Sequence, residues 1–459
     1  MKEKYVIFIF HRDLRLHDHR PLQMACDRAK EIDGVVVPIF IFTPEQISSK
    51  SPIRSLMSCA CLFQGLNELD DDLHTKMKSR LFCFYGKNKD VLENIRLKLV
   101  GVGVSGSSGG DIIDSVFETK DYTPYAKLRE NTYRKWCDEK FISFNSIDDL
   151  YLLAPGSIRT GSGKVYQKLT PFYEKAVRMN IEEPLGYVKH GDRFIESNKG
   201  RRIQSAHGYV KLSDMYDLVF KSIRGTDDMR NIENRQYKGG RSEGLVLLKN
   251  IPRDYEKIHD ILAEKTSGLS VHHHYGTISI RESYHRAKEL IHGGASGLHA
   301  FIRQLFWRDF YGHIMAFFEE LYGVDAISFQ KDTPRGELSS EKKKIFRDWC
   351  NGETGVPLVD AAMRQLNISG FMHNRARLVT ASWLVKDMDI HWRLGERYFA
   401  EKLVDYDFTQ NMCNWIWVAS KLPFASAPFR RISAERTAEK LDPDNEYIDS
   451  WLGDEEDNK

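Results

Sequence analysis

The chain has 459 residues, of which 41% are hydrophobic and 29% are charged, and this composition excludes disorder over most of its length. A chain this long exceeds what one hydrophobic core usually supports, so we expect two domains. The 67 basic residues barely outnumber the 65 acidic ones. Bulk charge therefore gives no argument for nucleic-acid binding, which depends on where basic residues cluster.

The seven cysteines include no C-x-x-C pair, which argues against a disulfide framework and a zinc site. The first apolar run is too short for a signal peptide, and no later run approaches the roughly 20 apolar residues that span a bilayer. We therefore expect a soluble intracellular protein, cytoplasmic or nuclear, without a membrane segment.

Short apolar runs recur through the first 145 residues, with helix-like segments between several of them. This alternation predicts an α/β domain over residues 1–145, with a parallel, doubly wound, Rossmann-like sheet. The clearest helix lies between Ile53 and Leu73, where apolar residues keep near-helical spacing. The predicted strands are Tyr5–Phe10, Val35–Phe42, Leu81–Tyr85, Ser115–Glu118 and Phe141–Phe144.

A glycine motif at Gly101, Gly103 and Gly106 matches the G-x-G-x-x-G dinucleotide fingerprint. The fingerprint requires a strand before it and a helix after it. Here a helical segment precedes it and Ser107 to Gly110 follow, so we predict a surface insertion. A nicotinamide-dependent dehydrogenase is the alternative, and it depends on this motif alone.

Residues 146–244 are polar and irregular, with weak periodicity until Tyr209–Ile223, and we predict a connector that runs over the surface. Residues 245–459 change to amphipathic patterns and predict an all-helical second domain. Its clearest helices are Glu282–Ile291, Leu298–Tyr322, Pro357–Leu366, Asn374–Lys386 and Trp392–Leu403.

Three clusters in the helical half could bind a ligand. Thr266 to Ser270 precede a helix, so they could hold a phosphate or serve as ordinary N-caps. Asn374 and Arg377 share a helix face and could bind a planar polar ligand, although the arginine could equally pair with a carboxylate.

The third cluster runs from Asp405 to Asn411 and is followed by Trp415 and Trp417. Its carboxylates are costly to bury unless cations or a hydrogen-bonding ligand compensate them, and a planar, nitrogen-rich ring would do so. The neighbouring histidines 272–274 point in different directions, so we expect no metal site.

Taken together, these blocks resemble the photolyase/cryptochrome family over nearly the whole chain, and the chain is most like a class I cyclobutane pyrimidine dimer photolyase. The helical half carries the more specific match. The matching blocks are His11–Asp18, Asp121–Ala126, Thr266–Ser270, Trp307–Phe310, Val359–Leu366, Phe371–Arg375, Gly395–Phe399 and Asp405–Trp417.

The resemblance implies that the helical domain binds FAD. Arg377 and Asp405 would form an ion pair beside the isoalloxazine, and Asn411 would face flavin N5, where asparagine is the photolyase residue. The residues implied in cofactor binding are Tyr255, Thr266, Ser267, Leu269, Ser270, Asn374, Arg377, Asp405, Asp407 and Asn411.

The implied partner is damaged double-stranded DNA, and the implied reaction is electron transfer from excited reduced FAD to a flipped pyrimidine dimer. A flipped lesion needs flat walls and a few polar contacts, and Trp307 and Trp417 match the walls. The polar contacts would come from Gln304, Asn374 and Arg375, with Arg375 and Arg431 gripping phosphates.

Two departures from the family pattern bear on the lesion. Members that repair (6-4) photoproducts have histidines where this chain has Asn374 and Leu378, which favours cyclobutane dimers. Dimer photolyases usually have glutamate at Gln304, and an amide cannot supply the same charge or proton, so we expect slower repair. Repair of (6-4) photoproducts and blue-light signalling by a cryptochrome are the alternatives.

The electron chain that re-reduces flavin also departs from the family. Trp415 and Trp392 match the proximal and middle tryptophans, but Phe329 stands at the distal position, so Tyr322 is a candidate substitute. Gly268 also replaces the arginine often seen in the phosphate motif. We further expect a monomer, and a second, antenna chromophore of folate or deazaflavin type against the N-terminal domain.

Overall fold

The computed structural model describes residues 3–48, 51, 55–100, 112–233, 235–318, 338–421 and 431–453. The glycine motif at 101–106, Phe329 and Tyr322 lie outside these ranges. No helix among the described residues combines the length and apolarity needed to cross a bilayer.

Five parallel strands form one sheet in the order β3-β2-β1-β4-β5, which confirms the doubly wound α/β prediction. The central strand β1 is buried along its whole length, because helices cover both faces of the sheet. The strands are β1 (Tyr5–Phe10), β2 (Val35–Phe42), β3 (Phe82–Tyr85), β4 (Ile113–Thr119) and β5 (Ser143–Ile147).

The predicted boundary of the last strand was wrong by two residues. Phe141 is 98% exposed and has φ of +57°, so it belongs to the turn after a helix. The helix predicted between Ile53 and Leu73 is present as one helix, which begins at Leu56 and ends at Met77. The N-terminal helices are α1 (Arg20–Glu31), α2 (Pro44–Ile47), α3 (Leu56–Met77), α4 (Asn88–Val100) and α5 (Pro124–Glu139).

The segment predicted as a connector contains more helix than its polar sequence indicated. One of its helices, Leu212–Phe220, lies against α3, where Phe63 contacts Tyr216 and Phe220 at ring-centroid distances of 5.4 and 6.0 Å. The domain limits at residues 145 and 244 remain a prediction. The helices here are α6 (Leu169–Ala176), α7 (Arg201–Gln204), α8 (Leu212–Phe220), α9 (Asp227–Glu233) and α10 (Arg241–Lys249).

The remaining described part is helical, as expected, and its helices share one large hydrophobic core. The helix Asn374–Ser382 continues through a π-helical turn, Trp383–Asp387. The helices are α11 (Tyr255–Ile258), α12 (Ser270–Tyr275), α13 (Ile280–His292), α14 (Leu298–Phe317), α15 (Ser340–Asn351), α16 (Pro357–Ser369), α17 (Asn374–Ser382), α18 (Trp392–Lys402), α19 (Phe408–Val418), α20 (Ala434–Leu441) and α21 (Glu446–Leu452).

Buried ion pairs tie the sheet to the helical part. Asp149 accepts from Arg15 at 2.5 Å and from Arg281 at 2.7 Å, and Arg281 also contacts Asp18. Because buried charges are costly unless paired, this network fixes how the two parts meet. The close approach also requires Gly276, whose φ is +62° and where a Cβ would lie 2.2 Å from the Arg12 carbonyl oxygen.

Candidate functional site: a polar cavity between three helices

A small polar cavity lies where α17, α18 and α19 meet. The described residues enclose a volume of about 50 Å³, which is room for a few water molecules. A ligand with a ring system needs a larger volume than this. Six of the predicted site residues lie together on its wall: Asn374, Arg377, Asp405, Asp407, Asn411 and Trp415.

Arg377 and Asp405 form the ion pair that the family pattern implied. Arg377 Nη2 lies 3.0 Å from each carboxylate oxygen of Asp405, and its Nε donates to the Met372 carbonyl oxygen at 2.8 Å. The Asp405 side chain is 5% exposed and that of Arg377 is 22% exposed. The pair therefore presents fixed, opposite charges to one side of the cavity.

Asn411 is held by a buried carboxylate that sequence reasoning did not assign. Its Nδ2 donates to Glu396 Oε1 at 3.0 Å, and the Tyr406 hydroxyl donates to the same oxygen at 3.1 Å. Burial raises the pKa of Glu396 despite these hydrogen bonds. Glu396 therefore orients the Asn411 amide from behind the cavity wall.

Asp407 lies between the cavity and the N-terminal sheet. It caps α19 through the Gln410 N–H at 3.1 Å, and its other oxygen lies 2.9 Å from Arg12 and 3.8 Å from His274. Burial alone would raise the pKa of Asp407, but Arg12 and His274 hold it well below its ordinary value. The predicted role of Asp407 toward the flavin and adenine remains a prediction, since these contacts already occupy it.

The three adjacent histidines have three different environments. His272 Nδ1 contacts Thr277 Oγ1 at 2.9 Å, whereas His273 Nε2 contacts Ser283 Oγ at 2.7 Å. His274 faces Asp407, as described above. Their rings therefore point to separate partners, as their adjacent positions on one helix require.

Three of the predicted lesion-binding residues, Gln304, Trp307 and Trp417, lie on α14 and α19, which pack against each other. The Tyr311 hydroxyl donates to Asn414 Oδ1 at 3.0 Å, and Gln410 Nε2 donates to the Arg308 carbonyl oxygen at 3.2 Å. Gln304, Trp307 and Trp417 are partly exposed on these helices. Packing thus brings the two predicted aromatic walls onto adjoining helices.

The residues of the predicted phosphate segment are not among the described residues that line the small cavity. Leu269 is buried in the helical core, whereas Thr266, Ser267 and Ser270 retain solvent exposure. Gly268 has φ of +66°, a left-handed conformation that glycine adopts freely. This explains the departure from the family's arginine in backbone terms.

Tyr255 packs between two aromatic rings in the same region. Its ring stacks on His259 at 5.2 Å and meets Phe301 edge-on at 5.4 Å. The diphosphate role of Tyr255 remains a prediction.

The two predicted DNA-contacting arginines are both paired in the structure. Arg375 forms a bidentate contact with Asp260, at 2.7 and 2.9 Å, and Arg431 lies 2.5 Å from Asp387. A phosphate would have to displace or share these carboxylates. The phosphate contacts therefore remain a prediction.

A larger cavity of about 570 Å³ lies at the carboxyl ends of β1 and β2, where ligands bind in sheets of this type. Its wall includes the apolar Phe40 and Leu62 and the polar His11, Arg129 and Tyr125. His11 Nε2 contacts Glu118 at 2.9 Å, and burial and Arg129 lower the His11 pKa. The cavity therefore offers a ring a mostly apolar surface with a few polar groups.

The chemistry of the helical cavity fits a flavin ring. Its wall combines a guanidinium, carboxylates and the amides of Asn374, Gln410, Asn411 and Asn414, which can meet both the donors and the acceptors of a ring edge. Sequence reasoning missed Arg12, His274 and Glu396. Arg12 and Glu396 lie in sequence blocks that match the family, but no local pattern indicates that they contact Asp407 and Asn411.

The chain is similar to known DNA photolyases. The family model described as the FAD binding domain of DNA photolyase matches residues 301–457, and the model described as DNA photolyase matches residues 6–186. The deoxyribodipyrimidine photo-lyase of Vibrio cholerae is 30% identical and aligns over 96% of this chain and 89% of its own length.

Solved structures show the same similarity. An archaeal photolyase from Sulfolobus tokodaii, described as having two FAD molecules, is 30% identical with a TM-score of 0.76, over 99% of this chain and 91% of that one. A cryptochrome from Synechocystis shares the fold, with a TM-score of 0.79 at 23% identity over 98% of this chain and 89% of that one.

Proposed function

The chain belongs to the photolyase/cryptochrome family, and we propose that it is a light-driven DNA repair enzyme of the class I type, acting on cyclobutane pyrimidine dimers. The observation that carries the proposal is the Arg377–Asp405 pair on the same cavity wall as Asn411. This wall carries Asn374, Arg377, Asp405, Asp407 and Asn411, to which the resemblance assigns flavin binding.

When bound, reduced FAD supplies the electron that blue light drives into the dimer. Arg377 and Asp405 hold opposite charges beside the ring, in a site where few water molecules screen them. Asn411, oriented by Glu396, presents its amide to the ring. The diphosphate and sugar are held by Tyr255, Thr266, Ser267, Leu269 and Ser270.

The lesion lies against Trp307 and Trp417, whose rings replace the stacking that a flipped base loses. Gln304 lies one turn before Trp307 on α14, and its amide can hydrogen-bond a pyrimidine edge. Asn374 contacts both the cofactor and the lesion. The partner is damaged duplex DNA, and Arg375 and Arg431 reach its phosphates by leaving their present carboxylates.

A second chromophore occupies the cavity of about 570 Å³. The supporting observation is its position at the end of the sheet, next to Arg12, which contacts Asp407 in the helical cavity. The structure of the Sulfolobus tokodaii relative is described as having two FAD molecules, with the implication of a novel light-harvesting cofactor. A planar ring is therefore the ligand that we propose for this cavity.

The test is light-dependent repair of three DNA duplexes by purified, FAD-loaded protein: one with a cyclobutane dimer, one with a (6-4) photoproduct and one undamaged. We expect restored thymines from the cyclobutane dimer in light and none in darkness. Repair of the (6-4) product alone would overturn the choice of lesion. Failure on both lesions with fully reduced FAD bound would favour a signalling cryptochrome.

A further inference from the structure

Trp415, on the cavity wall, packs into an aromatic cluster that reaches a surface helix. Its ring meets Trp349 edge-on, with centroids 6.4 Å apart, and Phe399 lies against both rings. Gly395 makes this packing possible, because a Cβ there would lie 2.2 Å from Trp415 Cη2. The two indoles are therefore in the range of direct aromatic contact.

Trp349 lies on a helix that runs along the protein surface. Trp349 is the only residue of α15 that is fully buried in the core, and the next residue, Cys350, is partly exposed. Oxidised Trp349 would thus lie in a helix at the protein surface, although its own side chain is buried.

The environment of Trp349 favours a positively charged indole. Its Nε1 donates to the Thr380 carbonyl oxygen at 3.2 Å, and such a hydrogen bond strengthens when the donor gains positive charge. The neighbouring Tyr398 is a poor alternative electron donor. Its hydroxyl donates to amide oxygens of Asn367 and Cys350, which are weak bases, and burial raises its pKa.

The environment of Trp392 has the opposite effect. The Arg393 guanidinium lies over its ring, 4.7 Å from the centroid. This cation is attracted to a neutral indole but repels an indole that has lost an electron. The position of this cation therefore disfavours oxidation of Trp392.

We propose that Trp349, rather than Trp392, supplies the electron that refills Trp415 when light reduces the oxidised cofactor. The inference rests on the proposed function, because it requires a flavin beside Trp415. Trp415 gives one electron to the excited ring and recovers one from Trp349. An external thiol would then return one electron to Trp349 and release its proton to water. Two thiols oxidised in this way would join through a new S–S bond, so that two electrons and two protons are released per disulfide.

The test is a laser flash on oxidised, FAD-loaded protein, with the yield and lifetime of the tryptophan radical read by transient absorption. We expect Trp349→Phe to lower the long-lived radical yield at least tenfold, whereas Trp392→Phe lowers it less than twofold. Tyr398→Phe, which removes a hydroxyl beside Trp349, serves as the matched control and should keep the wild-type yield. A larger loss in Trp392→Phe than in Trp349→Phe overturns the proposal.

Two further variants test whether a loss of radical yield comes from misfolding and whether it depends on the charge beside Trp392. Trp349→Tyr keeps an aromatic ring and is used if Trp349→Phe does not hold FAD, with the same loss expected. Adding Arg393→Leu to Trp349→Phe removes the cation over Trp392 and should restore part of the yield. No recovery in that double variant contradicts the electrostatic argument.

Repair by chemically reduced wild-type protein separates the two levels of inference. If reduced protein repairs dimers but the radical follows Trp392, the electron route is wrong and the function stands. If reduced protein repairs neither lesion, the proposed function itself fails.

Discussion

Asn411 and Glu396 form a buried pair in which the amide Nδ2 donates to the carboxylate at 3.0 Å. The pair joins α18 to α19 behind the cavity wall, and Tyr406 donates to the same carboxylate oxygen at 3.1 Å. Because both donors depend on one acceptor, Glu396 determines which way the Asn411 amide points. Glu396, which lies behind the cavity wall, therefore orients Asn411, the residue predicted to face the flavin.

Replacing Glu396 separates this positioning role from its charge. Glu396→Leu leaves two buried donors without an acceptor, at a cost of about 1–3 kcal/mol each, and we expect about tenfold slower repair per bound flavin. Glu396→Gln keeps an acceptor oxygen and should stay within about twofold of wild type. Equal losses in the two variants, measured by single-turnover repair, would contradict the positioning role.

The Arg377–Asp405 pair gives a second prediction. Arg377→Met leaves the carboxylate of Asp405 unpaired, so we expect the free energy of unfolding to fall by roughly 2–4 kcal/mol. Loss of a charged donor should also weaken FAD binding by about 10- to 100-fold. Urea unfolding and a fluorescence titration with FAD measure the two effects.

Arg347→Met is the matched control, because Arg347 is 69% exposed and lies 3.8 Å from its neighbour Asp348. It should change stability by no more than about 0.5 kcal/mol and leave the FAD affinity as it is. An Arg377→Met protein that binds FAD as tightly as this control would remove the pair from the flavin site.

Gln304 gives a prediction in the direction of faster repair. A carboxylate or carboxylic acid at this position makes stronger hydrogen bonds to a pyrimidine than an amide does, so Gln304→Glu should speed dimer repair by about threefold or more. Gln304→Ala, which removes the hydrogen bond, should slow it. A glutamate variant no faster than wild type, with the same DNA affinity, would refute the idea that the amide limits the rate.

Asp309 makes stability depend on pH. It is fully buried on α14 and accepts from the backbone N–H groups of Leu152 and Leu153, and burial raises its pKa from 3.8 to about 7. The folded protein therefore holds a proton that the unfolded chain releases between these values. Its contribution to the free energy of unfolding falls as the pH rises through that window.

Asp309→Asn removes this titration and keeps one acceptor. We expect the stability difference, wild type minus variant, to decrease by at least about 1 kcal/mol between about pH 4 and pH 7 and then to level off. Urea unfolding across this range checks the sign. A difference that stays constant or grows with pH would show that Asp309 is ionised in the folded protein throughout.

The sequence predicted the architecture well because apolar periodicity is a local signal. The five strands and the amphipathic helices of the second half follow from it, whereas Phe141 was misplaced because an aromatic residue in an exposed turn mimics the start of a strand. The helices of the connector were underestimated, since their burial depends on the surface of α3 and not on their own sequence.

Within the site, motif matching identified residues that line the cavity but not the residues that hold them in place. Arg377 could have met a ligand or a carboxylate, and only the folded chain brings Asp405 to it. Arg375 was assigned to DNA phosphates, yet Asp260, more than a hundred residues earlier, already neutralises it. Contacts between residues so far apart in the chain leave no periodic trace in the sequence.

The most direct measurement of the central claim is the number of thymines restored per protein molecule on a dimer-containing duplex, with chemically reduced FAD bound, in blue light and in darkness. The proposal predicts many turnovers in light, none in darkness, and a large loss in Trp307→Ala. Equal amounts of dimer before and after illumination, with reduced FAD and bound DNA both verified, would contradict it.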